Sequence, residues 1–157
     1  MSGAGAPDLS VDGSGLRVAI IAGSWHQEII DGMIAGAEQT LLDSGAEQVL
    51  FRVGGAFELP LAAQAALRAG YDAAVCLGVI VRGGTPHFEY VSSAVTEGLT
   101  RVALDESKPV GFGILTVDTE QQAFDRSGLP GSQESKGQEA AEAALQVAVL
   151  ARTIRAS

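Results

Sequence analysis

The sequence predicts an α/β domain: a three-layer α/β/α sandwich built on a four-stranded parallel sheet. Two observations carry that reading. Between residues 16 and 155, short apolar runs alternate four times with stretches of helical periodicity. The runs are nearly continuous instead of alternating apolar with polar, as in parallel strands buried on both faces, where right-handed crossovers place helices on each side of the sheet.

The elements follow in order. LRVAIIA at 16–22 reads as a strand, and Ile29, Ile30, Met33, Ile34, Ala37 and Leu41 then fall at helical spacing. QVLFRV at 48–53 is the second strand, followed by an Ala-rich helix near 58–69. DAAVCLGVIV at 72–81 is the third, and the long helix after it carries an apolar face of Phe88, Val91, Val95, Leu99 and Val102. GFGILTV at 111–117 is the fourth, followed by a short helix to about Arg126 and an Ala-rich helix over about 135–155. Residues 1–15, MSGAGAPDLSVDGSG, lack an apolar period and read as a flexible tail, leaving 16–157 as one domain. A chain of 157 residues with 46% hydrophobic side chains suits a single core, burying about 70% of its unfolded surface.

Composition excludes several classes of function. No apolar run reaches the roughly 18 to 20 residues of a membrane span, and no secretory signal is legible, so a soluble cytoplasmic protein is expected. Cys76 is the only cysteine and His26 and His87 the only histidines, which leaves no zinc set. A net charge of -9, with Lys and Arg scattered singly, disfavours nucleic acid. An anionic ligand must then be held by helix N-termini and individual cations.

Ligands of such folds bind beyond the carboxyl ends of the strands, which directs attention to the four strand-to-helix turns. In the first, GSWHQ, Ser24 and Gln27 have capping-box spacing and leave Trp25 and His26 at the mouth of a site. Trp25, the only tryptophan, either stacks on a flat heterocycle or simply packs. In the second, GGAFELP, two glycines let a ligand approach the backbone before Ala56, Phe57 and Glu58, and a polyol fits along it. Glu58 serves equally well as a dipole partner at a helix start.

The third turn, RGGTPHFE, is the most informative. Gly83 and Gly84 make an open loop, Thr85 is placed to cap, Pro86 suits the first helical position, and His87 follows. Free N–H groups at that helix start, with the threonine hydroxyl, suit a phosphate. A histidine of ordinary pKa, about 6.5, transfers protons near neutrality, although helix-start histidines also occur as plain surface residues. Arg82 reads as either a ligand contact or a solvated edge charge. In the fourth turn, TVDTEQQ, Thr119 and Gln122 have capping-box spacing and Asp118 is turn chemistry. Arg126 and Lys136 bracket a loop holding Gly128, Pro130 and Gly131, and either partner helix ends or bind phosphate. Cys76 lies within a predicted buried strand, as an inert thiol with a raised pKa.

The aromatic after the first strand, GAFELP, GVIVRGGTPHFEYV, FGILT, AFDRSG and the KG near the last helix, in that order, resemble the lumazine synthase family over residues 16 to about 155. The third-turn motif is the most restrictive of these. The resemblance implies a flavodoxin-like sandwich that condenses 5-amino-6-(D-ribitylamino)uracil with 3,4-dihydroxy-2-butanone 4-phosphate. The products are 6,7-dimethyl-8-ribityllumazine, phosphate and water, with no cofactor or metal. It assigns Trp25 to stack on the pyrimidine, Ala56, Phe57 and Glu58 to the ribityl side, and Val79, Ile80 and Val81 to the ring edge. Gly84 and Thr85 hold the phosphate, and His87 transfers protons. Phe112, Arg126 and Lys136 match positions that reach a neighbouring subunit's site, Arg126 at its phosphate.

Two departures from the family pattern stand out: Trp25 and His26 replace the common phenylalanine and asparagine, and Gly84 replaces a larger residue. They bear on substrate affinity and not on the reaction. The resemblance further implies a homopentamer, free or assembled into decamers or shells. The loop from Leu129 to Ser135, longer than expected in shell formers, favours the free pentamer. Two alternatives compete. A non-catalytic flavin or lumazine carrier of the same fold is disfavoured by His87, Arg126 and Lys136 occurring together. A riboflavin synthase of shared ancestry is disfavoured by the phosphate loop at 83–85.

Overall fold

Strand side chains point alternately to opposite faces, so a strand apolar at every position feeds two cores at once. In the computed structural model, which describes Gly5 and residues 10–157, that is how the chain is organised. The elements are β1 (Arg17–Ala22), α1 (Gln27–Ser44), β2 (Glu47–Arg52), a 3-10 turn (Ala56–Glu58), α2 (Leu59–Arg68), β3 (Ala73–Val81), α3 (His87–Glu106), β4 (Val110–Val117), α4 (Glu120–Asp125) and α5 (Lys136–Ala156). The strands form one sheet in the order β2-β1-β3-β4, with all pairs parallel. The expected three-layer sandwich and its element order are those observed.

The alternation sorts residues cleanly. Val18, Ile20 and Ala22 of β1, with Ala73, Val75, Leu77 and Val79 of β3, join α1 and α5 in one core. Ala19 and Ile21, with Ala74, Cys76 and Ile80, join α2 and α3 in the other. The expected helix positions Ile30, Met33, Ile34, Ala37 and Leu41 are all buried in α1, as are Val95, Leu99 and Val102 in α3. Burial pushes the Cys76 thiol up to about 12, which keeps it protonated and unreactive.

One expectation fails at β2. Its apolar run implied cover on both faces, yet Val49, Leu50 and Phe51 are 40%, 38% and 42% exposed. Among the described residues β2 is an edge strand, with β1 its only neighbour in the sheet, and none of its residues belongs to either core. An edge of exposed aliphatic and aromatic residues is a natural surface for another chain.

The helix layers lie very close to what they cover. A Cβ at Gly137 of α5 would overlap the carbonyl of Met33 in α1, and one at Gly111 of β4 would overlap the carbonyl of Ala140. Glycine at these positions lets α5 press onto both α1 and the sheet. Of the flexible tail expected at 1–15, residues 1–4 and 6–9 lie outside the described residues. Of the remainder, Val11 packs against the α1/α5 core, Gly13 N–H donates to the Ser44 carbonyl at 2.8 Å, and Arg152 donates to the Ser14 carbonyl at 3.0 Å. Among the described residues, no helix is long and apolar enough to cross a membrane, and no group of three or more His, Cys, Asp or Glu is arranged to hold a metal.

Replacing Gly137 with alanine forces α5 off α1. The expected loss is about 1–3 kcal/mol of unfolding free energy by urea titration, typical of overpacking; an unchanged midpoint would contradict the close approach. Cys76 is expected to resist a thiol reagent in native protein and to react fully in denaturant.

Candidate active site

From β1 the chain runs outward to β2 and then returns past β1 to β3, so the strand order reverses between β1 and β3. At such a switch point the strand-to-helix turns diverge and leave a crevice at the carboxyl ends of the strands. A cleft of about 640 Å³ lies there. Its lining unites Trp25 from the first turn, Ala56, Phe57 and Glu58 from the second, Val79, Ile80 and Val81 from the end of β3, and His87 from the start of α3. These are eight of the residues singled out by sequence.

Local bonding explains why they meet. Ser24 N–H donates to the Gly54 carbonyl at 3.1 Å and Gly23 N–H to the Leu77 carbonyl at 2.9 Å, stitching the first turn to its neighbours on both sides. The expected Ser24 capping box is absent, because the Ser24 hydroxyl donates to the Val53 carbonyl at 2.8 Å and has left the helix. His26 occupies the N-cap position of α1 instead, with φ 57° and ψ 61° and no side-chain cap. That left-handed conformation is uncommon for a residue with a Cβ and costs energy that the surrounding bonds must offset. The His26 Nδ1 lies 3.6 Å from Glu120 Oε1 of α4. The reversal presents the Trp25 side chain outward, leaving Trp25 69% exposed at the cleft mouth.

Gly55 supports that pose, since a Cβ there would lie 3.3 Å from two atoms of the indole ring. Its N–H also donates to Glu58 Oε1 at 3.1 Å, so Glu58 closes its own turn while facing the cleft. Both readings of Glu58 therefore coexist in one side chain.

In the third turn, Pro86 and not the expected Thr85 is the N-cap of α3, so the helix starts one residue later than expected, at His87, whose N–H points to the Thr85 hydroxyl at 3.4 Å. Gly83 and Gly84 have no positive φ, and a Cβ at either would meet nothing within 4 Å. The open space beside them faces away from the chain. In the fourth turn Thr119 caps as expected, its Oγ1 accepting from Gln122 N–H at 3.2 Å, but the reciprocal half of the box shifts by one residue, with Gln122 Oε1 accepting from Asp118 N–H at 2.7 Å.

The remaining candidates lie elsewhere. Gly84, Thr85, Phe112, Arg126 and Lys136 are not part of the cleft lining. Phe112 is 42% exposed in a separate groove between α3 and β4. Arg126 Nη1 donates to the Gln122 carbonyl at 2.8 Å and Nε lies 3.7 Å from Glu134, while Lys136 Nζ lies 3.2 Å from Glu139. Sequence reasoning did not single out Tyr90 and Val91 as lining residues. They lie one helical turn beyond His87, so i+3 and i+4 spacing was the available signal.

The cleft is apolar and aromatic on one side, backbone-rich on another, and carries two imidazoles, His26 and His87, each at a helix N-terminus. That combination suits a flat apolar or aromatic ligand carrying a polar group. The sequence profile of 6,7-dimethyl-8-ribityllumazine synthase matches residues 15–152. The chain belongs to this family. It is 64% identical to the 6,7-dimethyl-8-ribityllumazine synthase of Leifsonia xyli subsp. xyli over 157 residues, covering 99% of each chain. The counterpart from Clavibacter michiganensis subsp. michiganensis is 60% identical, with 99% of each chain covered. That of Streptomyces coelicolor is 52% identical, covering 98% of this chain and 97% of its own.

Trp25 gives this lumazine synthase family member a built-in reporter. An exposed indole emits near the wavelength of tryptophan in water, and an aromatic heterocycle stacking on it is expected to quench that emission saturably. Because Trp25 is the only tryptophan, the signal reports on this turn alone; ligand binding seen by calorimetry with no quenching of the wild-type emission would show that the ligand binds away from this turn, and Trp25→Phe, which keeps an aromatic face, is expected to retain binding.

Proposed function

We infer that the chain catalyses the condensation of 5-amino-6-(D-ribitylamino)uracil with 3,4-dihydroxy-2-butanone 4-phosphate. The reaction yields 6,7-dimethyl-8-ribityllumazine, phosphate and water, the penultimate step of riboflavin biosynthesis. The observation that carries this is the convergence of Trp25, Ala56–Glu58, Val79–Val81 and His87 on one cleft at the switch point, in a chain matched along nearly its whole length by relatives of that name.

In this reading the pyrimidine stacks on Trp25 and lies against Val79, Ile80 and Val81, while the ribityl chain follows the backbone of Ala56, Phe57 and Glu58. Gly84, Thr85 and the N-terminus of α3 receive the phosphate, whose charge the helix dipole favours. Imine formation, phosphate elimination and ring closure each move protons, and His87 on the cleft wall is the group to transfer them. Holding the phosphate fixes the ketone against the amine, so positioning contributes alongside acid–base chemistry. The chemistry calls for neither cofactor nor metal.

Phe112, Arg126 and Lys136 lie off the cleft lining and complete the site of a neighbouring copy, with Arg126 at its phosphate. Exposed apolar residues support an oligomer: Leu61, Tyr90 and Leu104 are 74%, 74% and 75% exposed, in addition to the bare β2 edge. A homopentamer in the cytoplasm, with residues 16–157 as its single repeating domain, is the assembly we propose.

Absorbance in the lumazine band on mixing protein with both substrates tests the reading. Wild type is expected to form product. His87→Ala should lower kcat by about 10- to 100-fold, the lower part of the range for general acid–base groups because positioning survives. Arg126→Ala should chiefly raise KM for the phosphorylated ketone. Absence of product together with tight flavin or lumazine binding would instead establish a carrier.

A further inference from the structure

We propose that Arg82 is a positioning residue, a clamp that holds the phosphate loop 83–85 and the first turn of α3 in place, and that it does not itself bind phosphate. This rests on the function inferred above.

Arg82 is the first residue beyond β3, and its N–H donates to the Val117 carbonyl at 2.8 Å, continuing the β3–β4 ladder by one bond. Its side chain reaches two other elements. Nε lies 2.8 Å from Asp118 Oδ1 in the fourth turn, and Nη1 lies 3.5 Å from Glu89 Oε1 in the first turn of α3. The guanidinium carbon sits 4.4 Å from the ring centroid of Phe88, the residue after His87. One planar group thus ties the end of β3 to the fourth turn and to the residues flanking the imidazole. A lysine cannot make these three contacts together.

The loop depends on such an anchor. Gly83 and Gly84 have no side chains, and their surroundings are empty within 4 Å of any added Cβ, so packing within the chain does not hold them. Their geometry is therefore set from the two ends, one of which is Arg82.

Charge argues against a ligand role. The guanidinium faces two carboxylates, leaving the cluster with a net negative charge. A phosphate would have to displace Asp118 or Glu89 to reach it, whereas the amides at the start of α3 and the Thr85 hydroxyl carry no such competitor.

Asp118→Asn separates the two roles by sign. The backbone N–H of Asp118 keeps its bond to Gln122 Oε1 at 2.7 Å, so the start of α4 survives the substitution. If Arg82 is a clamp, Asp118→Asn loosens the loop and weakens phosphate binding, as Arg82→Gln does. If Arg82 is a ligand, Asp118→Asn releases its charge and strengthens phosphate binding.

The experiment measures affinity for inorganic phosphate by calorimetry, and KM for each substrate, in wild type, Arg82→Gln, Arg82→Lys, Asp118→Asn and the double variant Arg82→Gln/Asp118→Asn. Arg82→Gln and Asp118→Asn are each expected to weaken phosphate and raise KM for the phosphorylated ketone by about 3- to 10-fold, as for loss of a partly exposed charge network. The pyrimidine KM should stay within about twofold, the double variant should be no worse than the weaker single, and Arg82→Lys should fall between. Tighter phosphate binding in Asp118→Asn, or unchanged binding in both single variants, overturns the clamp. A wild-type protein that makes no product sinks the inferred reaction instead, and the sign of the Asp118→Asn effect on phosphate affinity still decides the clamp.

Discussion

The parallel pairing of β1 with β3, from Val18↔Ala73 to Ala22↔Leu77, is the constraint on which the site depends. It forces the chain to leave β1 in one direction and return in the other, so the turns after β1 and β3 must separate at their carboxyl ends. β3 has to be apolar at nearly every position because both its faces are covered, and eight of its nine residues are buried. The last of these, Val79 and Ile80, reach the cleft floor, so the strand that builds both cores also forms the wall of the site. A polar residue in the middle of β3 would therefore damage the fold before the chemistry.

Polar contacts around this frame act locally. The ion pairs are mostly exposed, and such pairs contribute about 0–1 kcal/mol each, so they orient turns and do not hold the domain together. The Ser24 hydroxyl, the Gly55–Glu58 bond and the Arg82 cluster each fix one turn to the next. Rigid layers carry the turns, and single hydrogen bonds set the last ångström of their side chains. The left-handed His26 shows the cost of that arrangement, since the helix begins on a strained residue so that Trp25 can face outward.

Features governed by a local period or a short-range bond were legible in the sequence. The alternation of strands and helices, the buried stripe of α1, the Thr119 cap and the inert Cys76 all follow from neighbours within a few residues. The cleft lining was legible where turn chemistry and the family motif coincided, as at GAFELP and RGGTPHFE. What escaped reading depended on distant partners. Ser24 was claimed by Val53, 29 residues away, and not by its own helix. β2 looked like an interior strand because apolar content does not reveal whether a helix lies over it. Tyr90 was hidden because a helix position gains its role only when the opposite wall of the cleft is known.

The account's central claim is that one chain carries most of a site and another copy completes it. The direct test mixes two impaired variants, His87→Ala and Arg126→Ala, after dissociating and reassembling them together at equal amounts. Assayed with the phosphorylated ketone far below the KM of Arg126→Ala, where both parents are slow, random mixing restores about a quarter of wild-type activity if each site draws His87 from one subunit and Arg126 from its neighbour, the share of interfaces that pair two intact halves. A mixture no more active than the average of its parents would mean that the two residues serve separate sites or the same subunit, and the shared-site account would be wrong.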